Sequence, residues 1–248
     1  MQPPLSALSQ NLTTLIHDTG QIGDFDDLVE YYIRLFTAQG VAMLSYHHLP
    51  PPGARDYARQ LTVRAYGFPP DWVERYTQDE LYLVDPIPKH ALNATGPFWW
   101  SDARAFPDLS EAEHRYLDRL EHADFGDGLA IPVFGPHARN GYVGMGFGGP
   151  RPHLSPEAVR LAQLACQIGH LRYCDLLFVR LAPDAALSQR EAEILEWIAR
   201  GKSNAIISQI VGISNHTVDT YLRRIFAKLG VADRVNAVLR GIAVGAIG

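Results

Sequence analysis

The stretch LSQREAEILEWIARGKSNAIISQIVGISNHTVDTYLRRIFAKLG, residues 187–230, predicts a run of short helices near the C-terminus. Ser188 and Glu191 have the spacing of a capping box, in which each side chain bonds the other residue's backbone N–H at the start of a helix. Gly201 follows the apolar pattern of this first helix and is a residue type at which helices end. The buried face of the helix is expected to contain Ile194, Leu195 and Ile198.

Two further helices are predicted within the same stretch. Ser203 and Ser214 are favoured N-cap residues, Gly212 suits the turn between the two helices, and Gly230 ends the second one. The expected inner faces are Ile206, Ile207 and Ile210 in the first of these helices and Val218, Leu222, Ile225 and Leu229 in the second. Two helices joined by a tight turn, the second with a polar and basic outer face, predict a helix-turn-helix.

A helix-turn-helix reads DNA with side chains from the first turns of its second helix, which enters the major groove. Arg223 has the geometry to donate two hydrogen bonds to guanine, and Asp219 is an acceptor suited to cytosine. The predicted contacts from this helix are Asn215, His216, Thr217, Asp219, Thr220 and Arg223. Phosphate contacts are predicted for Lys202, Asn204, Arg224 and Lys228. The alternative is a small helical bundle whose polar face is only solvated.

The distribution of charge separates this segment from the rest of the chain. From Ser188 onward there are eight Lys and Arg against five Asp and Glu, a net charge of +3. The preceding residues have 14 against 22, a net charge of −8, and together these give the −5 of the whole chain. A basic module beside an acidic body is typical of a segment that binds a polyanion such as double-stranded DNA.

Several short motifs of this segment carry a family resemblance. They are LSQRE at 187–191, GKSN at 201–204, IS at 213–214, TV at 217–218, KLG at 228–230 and Arg234. With them the segment resembles the DNA-binding domain of LuxR-type transcription regulators. The resemblance implies a four-helix module that dimerises and reads paired half-sites. Tyr221 stands where that family often has His, and we expect little consequence for the fold.

The residues before this module predict a mixed architecture. Apolar periodicity predicts helices at 25–36, 69–78, 110–122 and 155–179, a strand at 41–48, and two strands at 128–135 and 142–148 joined through Arg139-Asn140-Gly141. Residues 81–102 are expected to be irregular. This order is typical of an α+β domain, an antiparallel sheet flanked by helices in an α-β-α sandwich. We expect domains at 1–175 and 187–248, with the end of the long helix and a linker at 176–186.

The stretch WVERYTQDELYLVDP, residues 72–86, places one carboxylate among aromatic side chains. Trp72 and Tyr76 stand four residues apart, Asp85 precedes Pro86, and further along the chain come PFWW at 97–100 and GLAIP at 128–132. Taken singly, such an aromatic pair is ordinary core and such an Asp-Pro pair is an ordinary turn. At these spacings, residues 20–175 resemble the autoinducer-binding domain of quorum-sensing LuxR proteins. The resemblance implies an acyl-homoserine lactone in a closed pocket between sheet and helices.

The chemistry of that ligand class fits the residue types. Asp85 is an acceptor suited to the amide N–H of the lactone, and the indole of Trp72 is a donor suited to the lactone carbonyl. Trp100 has the area to cover the lactone ring, and Tyr76 to line the acyl chain. A buried carboxylate without a partner is costly, so we expect the ligand to supply Asp85 with a hydrogen and complete the core. Gly128 belongs to the same matched set.

Two departures from the family pattern concern the acyl group. Phe68 stands where many relatives have a tyrosine that bonds the amide carbonyl. A second polar position of the family falls at Gly146 or Phe147. Both changes remove polar contacts, and we hypothesise a short, branched or aromatic acyl group without a demanding 3-oxo group. A LuxR-type sensor of a non-lactone molecule remains the alternative, and an enzyme domain joined to a DNA-binding module is a more distant one.

Other classes of function are disfavoured by the sequence. The acidic run 24–27 follows no strand, which disfavours a phosphorylated receiver domain, and the scattered histidines form no metal motif. We therefore expect no enzyme activity, cofactor or metal. The chain has no run of 18 apolar residues and its first 18 residues lack the features of a secretion signal. With Cys166 and Cys174 interpreted as reduced core residues, we expect a cytoplasmic protein that forms a homodimer through the helix at 156–179.

Overall fold

The computed structural model describes residues 5, 8, 12–57, 63–181 and 186–248. The chain divides into two compact units. The first comprises Met1–Leu49, Ala58–Pro136 and Asn140–Leu177, and the second Pro50–Tyr57, His137–Arg139 and Phe178–Gly248. Residues 182–185 of the segment expected as helix end and linker, 176–186, lie outside the described residues.

An antiparallel five-stranded sheet forms the centre of the first unit. Its strands are β1 (Met43–Leu49), β2 (Val63–Tyr66), β3 (Phe98–Trp99), β4 (Gly128–Val133) and β5 (Asn140–Gly146), in the order β2-β1-β5-β4-β3. The long pairings are β1 with β5, where Ser45 lies opposite Gly144, and β5 with β4, where Gly144 lies opposite Ala130. Residues that face each other across strands share one face of a sheet.

Helices cover both faces of this sheet. On one face, α1 (Leu12–Gln21), α2 (Phe25–Thr37) and α6 (Pro156–Arg180) pack on side chains such as Ile131 and Met145. On the other face, α3 (Pro70–Gln78), α4 (Pro86–Ala91) and α5 (Glu111–His122) surround Ala130 and Tyr142. The predicted α-β-α sandwich is therefore confirmed.

The helix starts follow the expected capping chemistry. Asp24 caps α2 by accepting from the N–H of Asp26, and Ser110 and Glu113 form a capping box at α5. Ser155 Oγ accepts from the N–H of Ala158 in the first turn of α6. These side chains satisfy backbone donors that have no partner inside the helix.

Two expectations about the first unit were wrong. Residues 81–102 are not irregular throughout, because they contain α4 and β3. The hairpin of β4 and β5 is present, but Asn140 and Gly141 are not its turn. They are paired inside β5, Asn140 with Leu49 and Gly141 with Val133, so residues 134–139 make the connection. A longer loop replaced the two-residue turn that an Asn-Gly pair favours.

Four helices form the C-terminal part of the second unit: α7 (Gln189–Ala199), α8 (Asn204–Val211), α9 (Asn215–Leu229) and α10 (Arg234–Ala243). The caps at Ser188, Ser203 and Ser214 are confirmed, and so is the positive φ of 69° at Gly212 between α8 and α9. The predicted inner faces of α7 and α9 are buried in one cluster. In α8 only Ile207 is buried, so the inward placement of Ile206 and Ile210 was wrong, since these side chains are 44% and 45% exposed.

Candidate ligand pocket and DNA-binding face

Asp85 lies inside the first unit with its carboxylate buried. Its Oδ1 accepts from the N–H of Ile87 at 2.9 Å and so caps α4, with Pro86 at the first helical position. Its Oδ2 accepts from the hydroxyls of Tyr76 and Tyr116, each at 2.9 Å. These protein donors come in addition to the hydrogen that the ligand is expected to supply. Because a carboxylate offers about four lone-pair sites, three protein donors leave room for one more.

The protonation of Asp85 is set by two opposing effects. Burial raises the pKa of its carboxyl, and the three donated hydrogen bonds lower it less, so the pKa is about 6. The carboxylate in turn holds the pKa values of Tyr76 and Tyr116 above their usual range, in addition to the larger effect of burial. The site therefore contains an acceptor that is ionised above about pH 6 and two phenols that stay protonated.

Aromatic side chains line a cavity beside this carboxylate. The cavity has a volume of about 50 Å³. It is lined by Ser45, His47, Val63, Ala65, Phe68, Trp72, Val73, Tyr76, Asp85, Ile87, Trp100, Tyr116, Leu120 and Tyr142. The structure thus brings together Trp72, Tyr76, Asp85, Trp100 and Phe68, all of which were predicted from the sequence.

The indole ring of Trp100 packs directly against two glycines of the sheet, Gly128 and Gly146. A Cβ added to Gly128 would lie 2.7 Å from the indole ring, and one added to Gly146 would lie 3.0 Å from it. The indole Nε1–H donates to the hydroxyl of Tyr142 at 3.0 Å. Only residues without a side chain allow the ring to approach the sheet this closely.

Gly128 and Phe147, the other two predicted pocket residues, lie outside the cavity wall. Gly128 supports Trp100 from the strand below it. Phe147 packs with the core on the opposite face of the sheet and contacts Trp99 at a ring-centroid distance of 6.0 Å. Successive residues at the end of β5 face opposite sides of the sheet. Phe147 therefore lies on the face opposite to Gly146 and the pocket. Gly146, the other position considered for this family contact, lies on the pocket face.

The outer face of α9 carries the side chains predicted to read DNA. Asn215, His216, Arg223 and Arg224 are exposed, whereas Thr217 and Thr220 are half-buried. Thr217 Oγ1 lies 2.8 Å from Ser214 Oγ, and Thr220 donates to the carbonyl of His216 at 3.0 Å. The exposed pair of arginines gives this face the positive charge that phosphate and guanine contacts require.

Two predicted DNA contacts, Asn204 and Asp219, have their side chains engaged within the unit. Asn204 Nδ2 donates to Asp219 Oδ1 at 2.6 Å, and Arg234 donates to Asn204 Oδ1 at 3.1 Å and to the carbonyl of Lys202. Asp219 therefore already has a donor and is less suited to accept from cytosine. The same bonds fix the start of α8 against α9, a structural role for Asn204.

Lys228 also has an internal partner. Its Nζ donates to Glu191 Oε2 at 2.7 Å and to the carbonyl of Ala186 at 3.0 Å. The Glu191 side chain is 4% exposed, and that of Lys228 is 34% exposed. Burial raises the pKa of Glu191, but the bonds from Lys228 and Ser188 outweigh this effect and place it below its ordinary value. The geometry favours a role for Lys228 in holding α9 to α7 over a role at a phosphate.

Both parts of the chain match known families. Residues 24–173 match the autoinducer binding domain, and residues 185–240 match the luxR family of bacterial regulatory proteins. The chain belongs to the LuxR family of transcription regulators.

This LuxR-family chain is similar to curated relatives over most of its length. The quorum sensing-dependent transcriptional regulator RpaR of Rhodopseudomonas palustris is 35% identical over 76% of this chain and 76% of its own. The transcriptional activator PhzR of Pseudomonas fluorescens is 30% identical over 77% of this chain and 78% of its own. The crystal structure of Escherichia coli SdiA matches with a TM-score of 0.72 and 21% identity, covering 96% and 98% of the two chains, which shows the common fold.

Among the described residues, no group of three or more His, Cys, Asp or Glu side chains is placed to hold a metal ion. None of the described helices has the length and apolar character needed to cross a membrane.

Sequence reasoning missed several residues that line the pocket of this LuxR-family regulator. Tyr116 reaches Asp85 from α5, and Tyr142 reaches Trp100 from β5. Ser45 and His47 extend into the pocket from β1. The sequence contains only a weak indication of them, namely that alternate residues of a predicted strand share one face of a sheet. The bond partners lie 31 and 42 residues apart in the chain, beyond the range of local patterns.

Proposed function

We propose that this chain is a quorum-sensing transcription factor that binds an acyl-homoserine lactone and regulates transcription by binding DNA as a dimer. Residues 1–175 bind the lactone and dimerise, and residues 187–248 bind DNA. The observation that carries this proposal is the buried carboxylate of Asp85, which lines a cavity with Trp72 and Trp100 and accepts from three donors among the described residues. Its remaining acceptor capacity suits the amide N–H that every ligand of this class carries.

The polar groups around Asp85 suit the rest of the ligand head. The Trp72 indole is a donor for the lactone carbonyl, and the ring of Trp100 is a flat apolar surface for the lactone ring. Tyr76 keeps its hydroxyl on Asp85 and offers its ring to the acyl chain. In this arrangement Asp85 orients the amide while the aromatic rings exclude water.

The size and polarity of the cavity favour a compact acyl group. A volume of about 50 Å³ holds on the order of four water molecules, so a lactone enters only when lining side chains move. Phe68 and Trp72 are half-buried and lie on the outer wall, which makes them the side chains best placed to move. Phe68 also adds aromatic surface where the family often has a hydroxyl. We therefore propose a short, branched or aromatic acyl group without a 3-oxo requirement.

The long helix α6 supports the proposal of a dimer. Leu164 and Leu171 lie two helical turns apart on α6 and are 42% and 45% exposed. Exposed leucines at this spacing form one apolar stripe, which a second copy of the chain would cover. Paired DNA-binding modules then reach half-sites about one helical turn apart.

Isothermal titration calorimetry of the purified chain tests the lactone proposal. The panel is butanoyl, isovaleryl, phenylacetyl and 3-oxododecanoyl homoserine lactone. We expect saturable binding of one of the first three and a clear loss in Asp85→Ala, with Asp79→Ala, an exposed acid of the same segment, as the matched control. Preference for the 3-oxododecanoyl ligand would contradict the proposed acyl group, and no binding by any lactone would contradict the ligand class.

A non-lactone signal is the second candidate function, and the missing hydroxyl at Phe68 favours it. Mass spectrometry of the small molecules extracted from protein made in its native host separates the two candidates. Recovery of an intact acyl-homoserine lactone supports the first, and recovery of another small molecule supports the second. Conversion of an added ligand by the pure protein would instead indicate an enzyme.

A further inference from the structure

Strand β1 presents two polar side chains to the cavity. Ser45 and His47 both line it, as alternate residues of one strand face the same side of a sheet. Ser45 lies opposite Gly144 of β5, and His47 lies opposite Tyr142. Neither position belongs to the set around Asp85, and neither was predicted as a site residue from the sequence.

The imidazole of His47 is buried and incompletely bonded. The residue is 4% exposed, and its Nδ1 has no hydrogen-bond partner among the described residues. Burial lowers the pKa of His47 to about 3, so the ring is neutral at physiological pH. A buried ring nitrogen without a partner costs free energy, and such groups in native structures call for a partner that completes them.

The rings around His47 fix its orientation. Its imidazole meets the rings of Tyr76 and Tyr142 edge to face, at centroid distances of 5.8 and 4.9 Å. The Tyr76 hydroxyl donates to Asp85, and the Tyr142 hydroxyl accepts from the Trp100 indole. Both tyrosines therefore have hydrogen-bond partners other than His47. The aromatic edges hold the imidazole in place without satisfying its Nδ1.

The missing side chain of Gly144 lets polar groups of neighbouring residues pack closely against strand β5. A Cβ at Gly144 would lie 2.6 Å from Ser45 Oγ and 2.8 Å from the hydroxyl of Tyr142. Ser45 and His47 are about 7 Å apart along the strand, and both side chains line the same cavity. This end of the cavity is therefore polar, whereas its outer wall at Phe68 is apolar.

We propose that His47 and Ser45 form a second polar subsite, which binds a hydroxyl group on the acyl portion of the ligand. This inference rests on the lactone function proposed above and names the substituent that the pocket selects. A hydroxyl both donates and accepts, so it serves either neutral tautomer of His47 and also pairs with the Ser45 hydroxyl. A carbonyl serves only the tautomer with a proton on Nδ1. The subsite replaces the polar contacts that Phe68 and Gly146 do not provide.

Matched ligands that differ by a single group test this subsite. The probes are homoserine lactones acylated with ω-hydroxybutanoyl or pentanoyl, ω-hydroxyhexanoyl or heptanoyl, and para-hydroxyphenylacetyl or para-methylphenylacetyl groups. In each pair a methyl replaces the hydroxyl. Calorimetry gives dissociation constants for the full-length wild-type chain, for His47→Phe and His47→Gln, and for Asp85→Ala.

We expect wild type to bind the hydroxyl member of at least one pair about tenfold more tightly, the effect of one well-placed hydrogen bond to a buried group. In His47→Phe this preference disappears or reverses, while the methyl member binds at least as well. His47→Gln keeps part of the preference because its amide both donates and accepts. Melting curves of each variant establish that it is folded, and His47→Gln provides the test if His47→Phe does not fold.

The outcomes separate this subsite from the lactone function itself. Binding of both members of every pair with equal affinity by wild type, or an unchanged preference in His47→Phe, would overturn the subsite while leaving the lactone function intact. An equal loss of binding affinity for both members of a pair in Asp85→Ala supports the lactone function independently of His47. Absence of binding by every probe, in wild type and variants alike, would overturn both.

Discussion

The hydroxyl of Tyr116 donates to Oδ2 of Asp85 at 2.9 Å, and this bond joins α5 to the N-cap residue of α4 across 31 positions of sequence. Together with Tyr76 and the N–H of Ile87, it supports a carboxylate inside an aromatic cavity. The donors orient Asp85 and leave part of its acceptor capacity unused. The arrangement is therefore suited to capture one further donor in a defined direction.

The raised pKa of Asp85 predicts a pH dependence of stability. The folded pKa is about 6 against an ordinary value of 3.8. Because the folded chain binds this proton more tightly, the contribution of Asp85 is fully present below about pH 4 and is lost as the pH rises through 6. Relative to Asp85→Asn, wild type should lose on the order of 3 kcal/mol in free energy of unfolding between pH 4 and 7.

Urea unfolding at a series of pH values checks this prediction, with Asp79→Asn as the exposed control. The control should follow wild type across the range. A constant difference between wild type and Asp85→Asn would show that Asp85 has the same pKa in the folded and unfolded chains.

Gly128→Ala should destabilise the first unit. Its new methyl would lie 2.6 Å from the carbonyl oxygen of Met145 and 2.7 Å from the Trp100 ring, so strand or indole has to shift. We expect a loss of about 1–3 kcal/mol in free energy of unfolding, with a change in Trp fluorescence. Gly96→Ala is the matched control because, apart from its chain neighbours, no atom of the described residues lies within 4 Å of a Cβ there. Equal stability of the two variants would contradict the close seating of Trp100.

The sequence predicted best the features that depend on neighbouring residues. The caps at Ser188, Ser203 and Ser214 follow from local hydrogen bonding, and the structure contains all three. The inward faces of α7 and α9 follow from helical period in the same way. Ile206 and Ile210 had the right period but stay exposed, because a helix of eight residues contacts its neighbours mainly through Ile207.

The pocket was only partly predictable because it depends on contacts between distant segments. Asp85, Trp72 and Trp100 came from family spacing, but the partners Tyr116 and Tyr142 are brought in by α5 and β5. No local pattern distinguishes a tyrosine whose hydroxyl reaches a carboxylate from one that only packs. Likewise, the charge of Lys228 suggested a phosphate contact, and only the folded structure shows that Lys228 is paired with Glu191.

Arg223 is predicted to read a base. It is exposed on the outer face of α9, near the exposed Asn215 and His216. Arg223→Ala should cost about 1–3 kcal/mol at one base position and relax specificity there. Binding to operator variants, measured by fluorescence anisotropy at fixed salt, checks this. An equal loss across all variants would instead assign Arg223 to a phosphate.

Lys228 is predicted to act on stability. Lys228→Met leaves the buried Glu191 carboxylate without its cation, and we expect a loss of about 1–3 kcal/mol in free energy of unfolding. Arg224→Met, an exposed cation on the same helix, should change stability by less than about 0.5 kcal/mol. Urea unfolding of the full chain compares them. Unchanged stability in Lys228→Met, with a reduced salt dependence of DNA binding, would restore the phosphate contact first expected.

We propose that the carboxylate of Asp85 accepts the amide hydrogen of the ligand. Calorimetry at pH 7 with hexanoyl homoserine lactone and its ester analogue, in which oxygen replaces the amide N–H, tests this hydrogen bond. Wild type should bind the amide tenfold to about a hundredfold more tightly, as expected for a hydrogen bond to a charged group, and Asp85→Ala should bind both alike. Equal affinity of wild type for the two ligands, or an undiminished difference in Asp85→Ala, would contradict the account.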